Sequence, residues 1–329
     1  MRGQFIVGIQ HIKCSANLFN GISIYDDLRI INDPTKAKCL RDPNFKELAG
    51  MIEVGYLRKS DLLVITDERD FPEINPELLI SRILDFVRNF LALFWVEKDN
   101  SAYFDRGYFV TPSRVSSNTQ TISYYNAEGG RADAIVSRRE LETVKRLMRP
   151  QAQSVSDDFK IPEEDLIFKG EEGPAHRSIS LPDRFMGFVH YSRLAKDLTL
   201  RIAMACSALE AVFSSTNTEL SHRISERVAF LLADTPSKRK ELYESVRTLY
   251  KIRSAFVHGD SISSRDTQDL GKHSRTADMI LRQVAFLLHT PNKFAITARE
   301  GKEQLDKFHS SLLFGEIKES VGGRSTLTL

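Results

Sequence analysis

The chain has 329 residues, of which 41% are hydrophobic and 27% charged, and its net charge is +2. This is long enough for two ordinary domains, and it argues against disorder, a fibrous class, or attraction to a polyanion through bulk charge alone. Cys14, Cys39 and Cys206 are too few and too scattered for a disulfide framework or a zinc site, so reduced thiols and no bound metal are expected.

The opening MRGQFIVGIQ has no apolar run followed by a small-residue cleavage site, so no secretory leader is expected. QFIVGIQHI, GISIY, LLVIT, RGYFV and TISYY are rich in β-branched or aromatic residues and read as strands. Asn75 and Pro76 give a cap and a first position for a helix. That helix, over 76–96, is the most apolar long segment. Arg82, Asp85, Arg88 and Asn89 in its middle make it a core helix rather than a membrane span, and the expected location is cytoplasmic. A second helix is predicted over about 137–148, ending near Pro150. Residues 1–185 therefore read as an α+β domain of unknown (sensing or regulatory) role, including a polar linker or long loop at about 151–178.

Beyond 185 the pattern is helical only, with helices predicted over 192–213, 219–233, 236–258, 266–289 and 296–309. Thr235-Pro236 marks a helix start, and Gly259 stands where a left-handed cap would end the third helix. Residues 186–312 read as an all-α bundle and 313–329 as a loose tail. The basic excess lies here: over 186–308 there are 19 Lys and Arg against 14 Asp and Glu, a local +5.

The stretch LYKIRSAFVHGD, residues 249–260, puts a cation on an apolar face. At 100° per residue Leu242, Val246, Leu249 and Phe256 share a stripe, and Arg253 falls within it, with Tyr250 and Val257 on its border. A guanidinium there needs a carboxylate or a polar cavity. IAMACSALEAVF, residues 202–213, carries Glu210 as its one charge, and Arg253 or Arg227 is the natural partner. His258 lies about 140° around from Arg253, so the two converge only if the helix unwinds near Gly259 or if they come from two chains. A histidine near a helix C-terminus and a buried Arg–Glu pair also have purely structural uses, and the residues alone leave both readings open.

SALEAVFSS, ELSHRISERVAFLLA and RKELYESVRTLYKIRSAFVHGD, in that order and spacing, resemble the HEPN domain family and its Apea-like branch in prokaryotic defence systems. The likeness covers about 190–290. It implies an all-α bundle that forms homodimers, and in many members a metal-independent endoribonuclease with an Arg, four to six residues, His motif. Mapped here, the motif arginine is Arg253 and the motif histidine His258; Ser254 matches the polar residue after the arginine, and Glu210 the acidic residue that orients it. Some members are non-catalytic dimerisation or nucleotide-binding modules. The resemblance calls for no cofactor.

The residue types suit that chemistry. RNA carries its own nucleophile, the 2′-hydroxyl; imidazole exchanges protons near neutral pH, and guanidinium fits the non-bridging phosphate oxygens. One histidine does not readily serve as base and acid in the same step, whereas two across a dimer axis divide the roles. Arg223, Arg227, Lys251 and Lys272 are the candidates to hold the RNA backbone, and His222 and His273 read as surface residues. The expected partners are RNA, tRNA among the candidates, a second copy of the chain, and an activating or inhibiting partner at the N-terminal domain. A metal-dependent nuclease in the N-terminal half has no Asp/Glu-x-Lys motif on a convincing strand to support it.

Overall fold

β1 (Arg2–Ile9) explains the first half of the chain. Phe5, Ile6, Val7 and Ile9 are all fully buried, which requires a central strand covered on both faces. The computed structural model describes residues 2–18, 20–25, 28–71, 75–120, 122–158, 179–214 and 219–316, and the chain divides into two units. The first comprises residues 1–126 and 131–162. The further strands are β2 (Ile12–Cys14), β3 (Ile22–Tyr25), β4 (Leu28–Ile31), β5 (Leu62–Ile65), β6 (Arg69–Asp70), β7 (Arg106–Val110), β8 (Val115–Thr119) and β9 (Ala134–Val136). The main sheet is antiparallel throughout, in the order β3-β4-β5-β1-β7-β8 with β6 pairing the start of β1; β2 and β9 form a separate parallel pair.

Alternation along β1 assigns the faces. Ile6 points to a core that includes Phe45 of α1 (Pro43–Ala49) and Val54 and Leu57 of α2 (Met51–Lys59). Phe5 points to the other face, over α3 (Pro76–Glu97): a Cβ on Gly107 would stand 2.7 Å from Leu84 of that helix and 3.0 Å from Phe5. Asn75 caps α3 by accepting from the Glu77 amide, and Pro76 is its first residue, as expected. Twelve residues of α3 are buried, and among the described residues no helix is long and apolar enough to cross a membrane. Packed on α3 is α4 (Arg138–Asp158), which continues past Pro150 rather than ending there.

Two further expectations are corrected, and two strands were not expected. TISYY is not a strand over its described residues, 122–125. QFIVGIQHI is not one strand: His11 adopts φ 61 and separates β1 from β2. The antiparallel strands β4 and β8 were missed because LRII is short and VSSNT is polar on a sheet edge.

The second unit comprises residues 127–130 and 163–329, and its described elements from Leu181 on are helical. These are α5 (Leu181–Leu194), α6 (Leu198–Phe213), α7 (Leu220–Leu232), α8 (Pro236–His258), α9 (Ser264–Gln268), α10 (Leu270–His289), α11 (Lys293–Glu300) and α12 (Lys302–Leu313). The helical part thus begins before residue 186. Of the expected loop and tail, residues 159–178 and 317–329 lie outside the described residues. Three predicted helices are each two: Asp197 caps α6 and separates it from α5, Asp269 divides α9 from α10, and Gly301 with φ 115 divides α11 from α12.

α6 is the centre of this unit, with α5, α8 and α10 packed on it. Its small residues, Ala203, Ala205, Cys206 and Ala208, are at most 3% exposed and permit that close approach. The core also holds an ionic cluster that the sequence reading did not find. Arg201, on α6, lies 3.5 Å from Asp278 of α10 and donates to the Ser192 carbonyl at 3.2 Å, while Arg282 reaches the same aspartate at 2.9 Å. Ser274 donates to the Ala127 carbonyl, and Arg275 pairs with Glu128, which ties residues 127–130 to α10.

Candidate functional site

α8 carries the motif and owes its length to its ends. Thr235 accepts from the Lys238 amide with Pro236 at the first position; Gly259, at φ 76 and ψ 17, closes the last turn, where the Ala255 carbonyl accepts from both Gly259 and Asp260. Leu242, Val246, Leu249, Tyr250 and Ile252 are buried. Phe256 was expected on that stripe; instead it is 42% exposed, and Val257 is 56% exposed, because the buried face stops at Ile252 and the last turn protrudes.

Arg253 is at the transition from buried to exposed. Its Nη2 lies 3.4 Å from Oε1 of Glu210, in the last turn of α6, with the two side chains 29% and 23% exposed. Of the two expected partners for Glu210, the structure brings Arg253 to it. Behind the pair, Tyr250 donates to the Cys206 carbonyl at 3.3 Å. Burial pushes the Tyr250 hydroxyl and the Cys206 thiol far up from their ordinary ionisation, so neither supplies an anion at neutral pH.

In front of Arg253 is an open groove between the start of α7 and the outer face of α8, with a cavity of about 540 Å³ lined by Arg253, Ser254, Lys251, Arg247 and Ser221 among others. The helix repeat explains this lining. Tyr243, Arg247, Lys251, Ser254 and His258 fall within an arc of about 80° and form one polar stripe along about 22 Å of α8. His258 is exposed at its end. Since α8 stays helical up to Gly259, the unwinding that would bring His258 round to Arg253 within one chain does not occur.

The four backbone-binding candidates divide. Arg227 is paired with Asp306 of α12 and donates to the Phe213 carbonyl at 2.7 Å, and Arg223 is 3.9 Å from the same aspartate. Arg227 thus fastens α7 to α12 and α6, a structural task rather than a free cation. Lys251 is 70% exposed and 3.3 Å from Asp266; Lys272 is exposed, with no ion pair among the described residues. Asp266 also lies 3.6 Å from His273. A hydrogen bond from Ser263 first, and then Lys251 and His273, hold its carboxyl below the usual range.

His222 is the residue that sequence reasoning passed over. Its Nδ1 is 2.8 Å from the Tyr243 hydroxyl, across from α7 to α8. Twenty-one residues separate the two, and no local pattern could have paired them. Among the described residues no group of three or more His, Cys, Asp or Glu is placed to hold a metal ion.

Comparison with protein-family models, with curated proteins and with solved structures returned no match for this chain.

Proposed function

We propose that the chain is a metal-independent endoribonuclease of HEPN type, cytoplasmic and active as a homodimer. In this reading it serves prokaryotic antiviral defence or a toxin-like system, with tRNA among its candidate targets, and the N-terminal unit restrains it until a partner binds there. The observation that carries this reading is Arg253, held by Glu210 at the mouth of an open groove with Ser254 beside it. A purely structural ion pair has no need of such an opening.

In the proposed reaction a phosphate of the RNA enters the groove. His258 of one copy removes the proton of the 2′-hydroxyl, whose oxygen attacks the adjacent phosphorus. The Arg253 guanidinium stabilises the charge gathered on the non-bridging oxygens, and its fork geometry suits two of them at once. The bond to the 5′-oxygen breaks, and the second copy's imidazole returns a proton to that oxygen. The products are a 2′,3′-cyclic phosphate and a free 5′-hydroxyl. A second copy is required because His258 and Arg253 point about 140° apart on a regular helix.

The test is RNA cleavage by the full chain in excess EDTA. Arg253→Ala and His258→Ala should each abolish it with an unchanged circular dichroism spectrum, and DNA of the same sequence should survive; full activity in both variants refutes the assignment. The exposed Phe256 and Val257 beside the motif favour a second reading, a non-catalytic dimerisation or nucleotide-binding module. Under it RNA stays intact with the wild-type protein, and Arg253→Ala only lowers thermal stability.

A further inference from the structure

The groove does not end at Arg253. Leu220, Ser221 and Arg247 also line a second cavity of about 590 Å³, which continues to His222 and Tyr243. There the Tyr243 hydroxyl accepts a hydrogen bond from Arg247 Nη1 at 3.3 Å and stands 2.8 Å from His222 Nδ1. The two rings meet edge to face with centroids 5.7 Å apart, and the Arg247 guanidinium carbon lies 6.0 Å from the tyrosine ring.

The Tyr243 oxygen has two lone pairs, so accepting from Arg247 leaves it able either to give its hydrogen to His222 Nδ1 or to accept from it, according to the imidazole tautomer. In the tautomer with the hydrogen on Nε2 the phenol donates to Nδ1, and an acceptor ligand at Nε2 selects that tautomer. Among the described residues Nε2 has no acceptor, and Arg247 has no carboxylate within ion-pairing distance. Glu219, the carboxylate on this lining, is exposed and bonds to neither. The cluster therefore presents N–H donors and a positive charge to an open groove. That set matches a ligand with acceptors only and negative charge, as a phosphodiester has.

We propose that His222, Tyr243 and Arg247 form a second phosphate-binding site, which takes a non-scissile phosphate of the same single-stranded RNA whose scissile phosphate meets Arg253. This rests on the ribonuclease reading above. Arg247 and Arg253 are six residues apart, about 9 Å along the helix axis and about 120° around it, but both line the cavity in front of Arg253, so one strand crossing that groove can engage both. Tyr243 is a positioning residue: it lines the second cavity, and its hydroxyl orients the imidazole and guanidinium.

The experiment uses the full chain carrying His258→Ala, so that RNA is bound without turnover, and follows fluorescence anisotropy of a labelled single-stranded RNA of about 12 nucleotides at several salt concentrations. Adding Arg247→Gln should weaken binding by about five- to tenfold and reduce the slope of log affinity against log salt by about 0.7, one phosphate contact on a single strand. Adding Tyr243→Phe should give a smaller loss with the slope unchanged, since no charge is removed. Arg247 is exposed, so the thermal unfolding midpoint should not move. If the parent binds RNA and Arg247→Gln leaves affinity and slope intact, the second site is overturned while the ribonuclease reading stands. If the parent binds no RNA, both fall.

Discussion

Acidification should loosen the helical unit through His309. This side chain, on α12, is 3% exposed and lies among Phe213, Phe294 and Phe308, with ring centroids 5.2, 6.0 and 5.5 Å away. Nε2 is 3.4 Å from the Val212 carbonyl and Nδ1 has no hydrogen-bond partner. Burial, with Arg227 adding to it, depresses the imidazole from 6.5 to about 3. Between those values the unfolded chain binds a proton that the folded one refuses, so stability is complete above pH 6.5 and falls as pH drops toward 3. Each pH unit in that window removes about 1.4 kcal/mol, so this group alone should cost about 2 kcal/mol at pH 5. The assay is hydrogen exchange of the α12 amides at pH 7 and pH 5, corrected for intrinsic exchange, in the wild type and in His309→Gln, which keeps a donor but cannot titrate. The wild type should lose about 2 kcal/mol more opening free energy than the variant. His289, also depressed by burial, is common to both and cancels. Equal losses in the two proteins would refute the reasoning.

Arg227→Ala should destabilise the helical unit by about 1–3 kcal/mol in urea unfolding, because the Phe213 carbonyl and Asp306 lose a charged donor, while the salt slope of RNA binding stays unchanged. Gly259→Ala meets no atom within 4 Å of the new Cβ, so its cost is the left-handed backbone alone: about 1 kcal/mol, with the unfolding midpoint lowered by about 2–4 °C and most of it restored by Gly259→Asn. Phe256→Asp should shift the sedimentation equilibrium toward monomer by at least about tenfold in association constant, if the protruding end of α8 is the contact between copies; an unchanged mass would exclude that end.

The legible parts of the molecule were those governed by local rules. The Asn75-Pro76 and Thr235-Pro236 starts and the Gly259 stop each arise from neighbouring residues, and the structure has them at those positions. The helix break at Asp197 escaped notice because the apolar period runs on across it, and the one at Asp269 because it falls in a polar stretch, residues 263–276, that has no period to interrupt. The Arg253–Glu210 pairing was legible because each charge stood alone on an apolar face. His222 with Tyr243, and Arg201 with Asp278, were not: each joins residues that only the packing of separate helices brings together. The same limit explains Arg227, whose charge suggested a ligand until Asp306 appeared opposite it.

The four residues Ala127–Gly130 belong to the helical unit although the chain on both sides of them does not. Their hold is specific: the fully buried Ser274 hydroxyl gives its hydrogen to Ala127, and a side chain on Gly129, at φ 73, would collide with the Lys196 carbonyl at 2.5 Å. A gene cut anywhere from residue 131 to residue 163 would leave this module missing a piece, with a donor stranded in its interior. Swapping the C-terminal part onto a foreign partner would therefore need the tetrapeptide supplied as well, and recombination during descent would tend to carry both halves together.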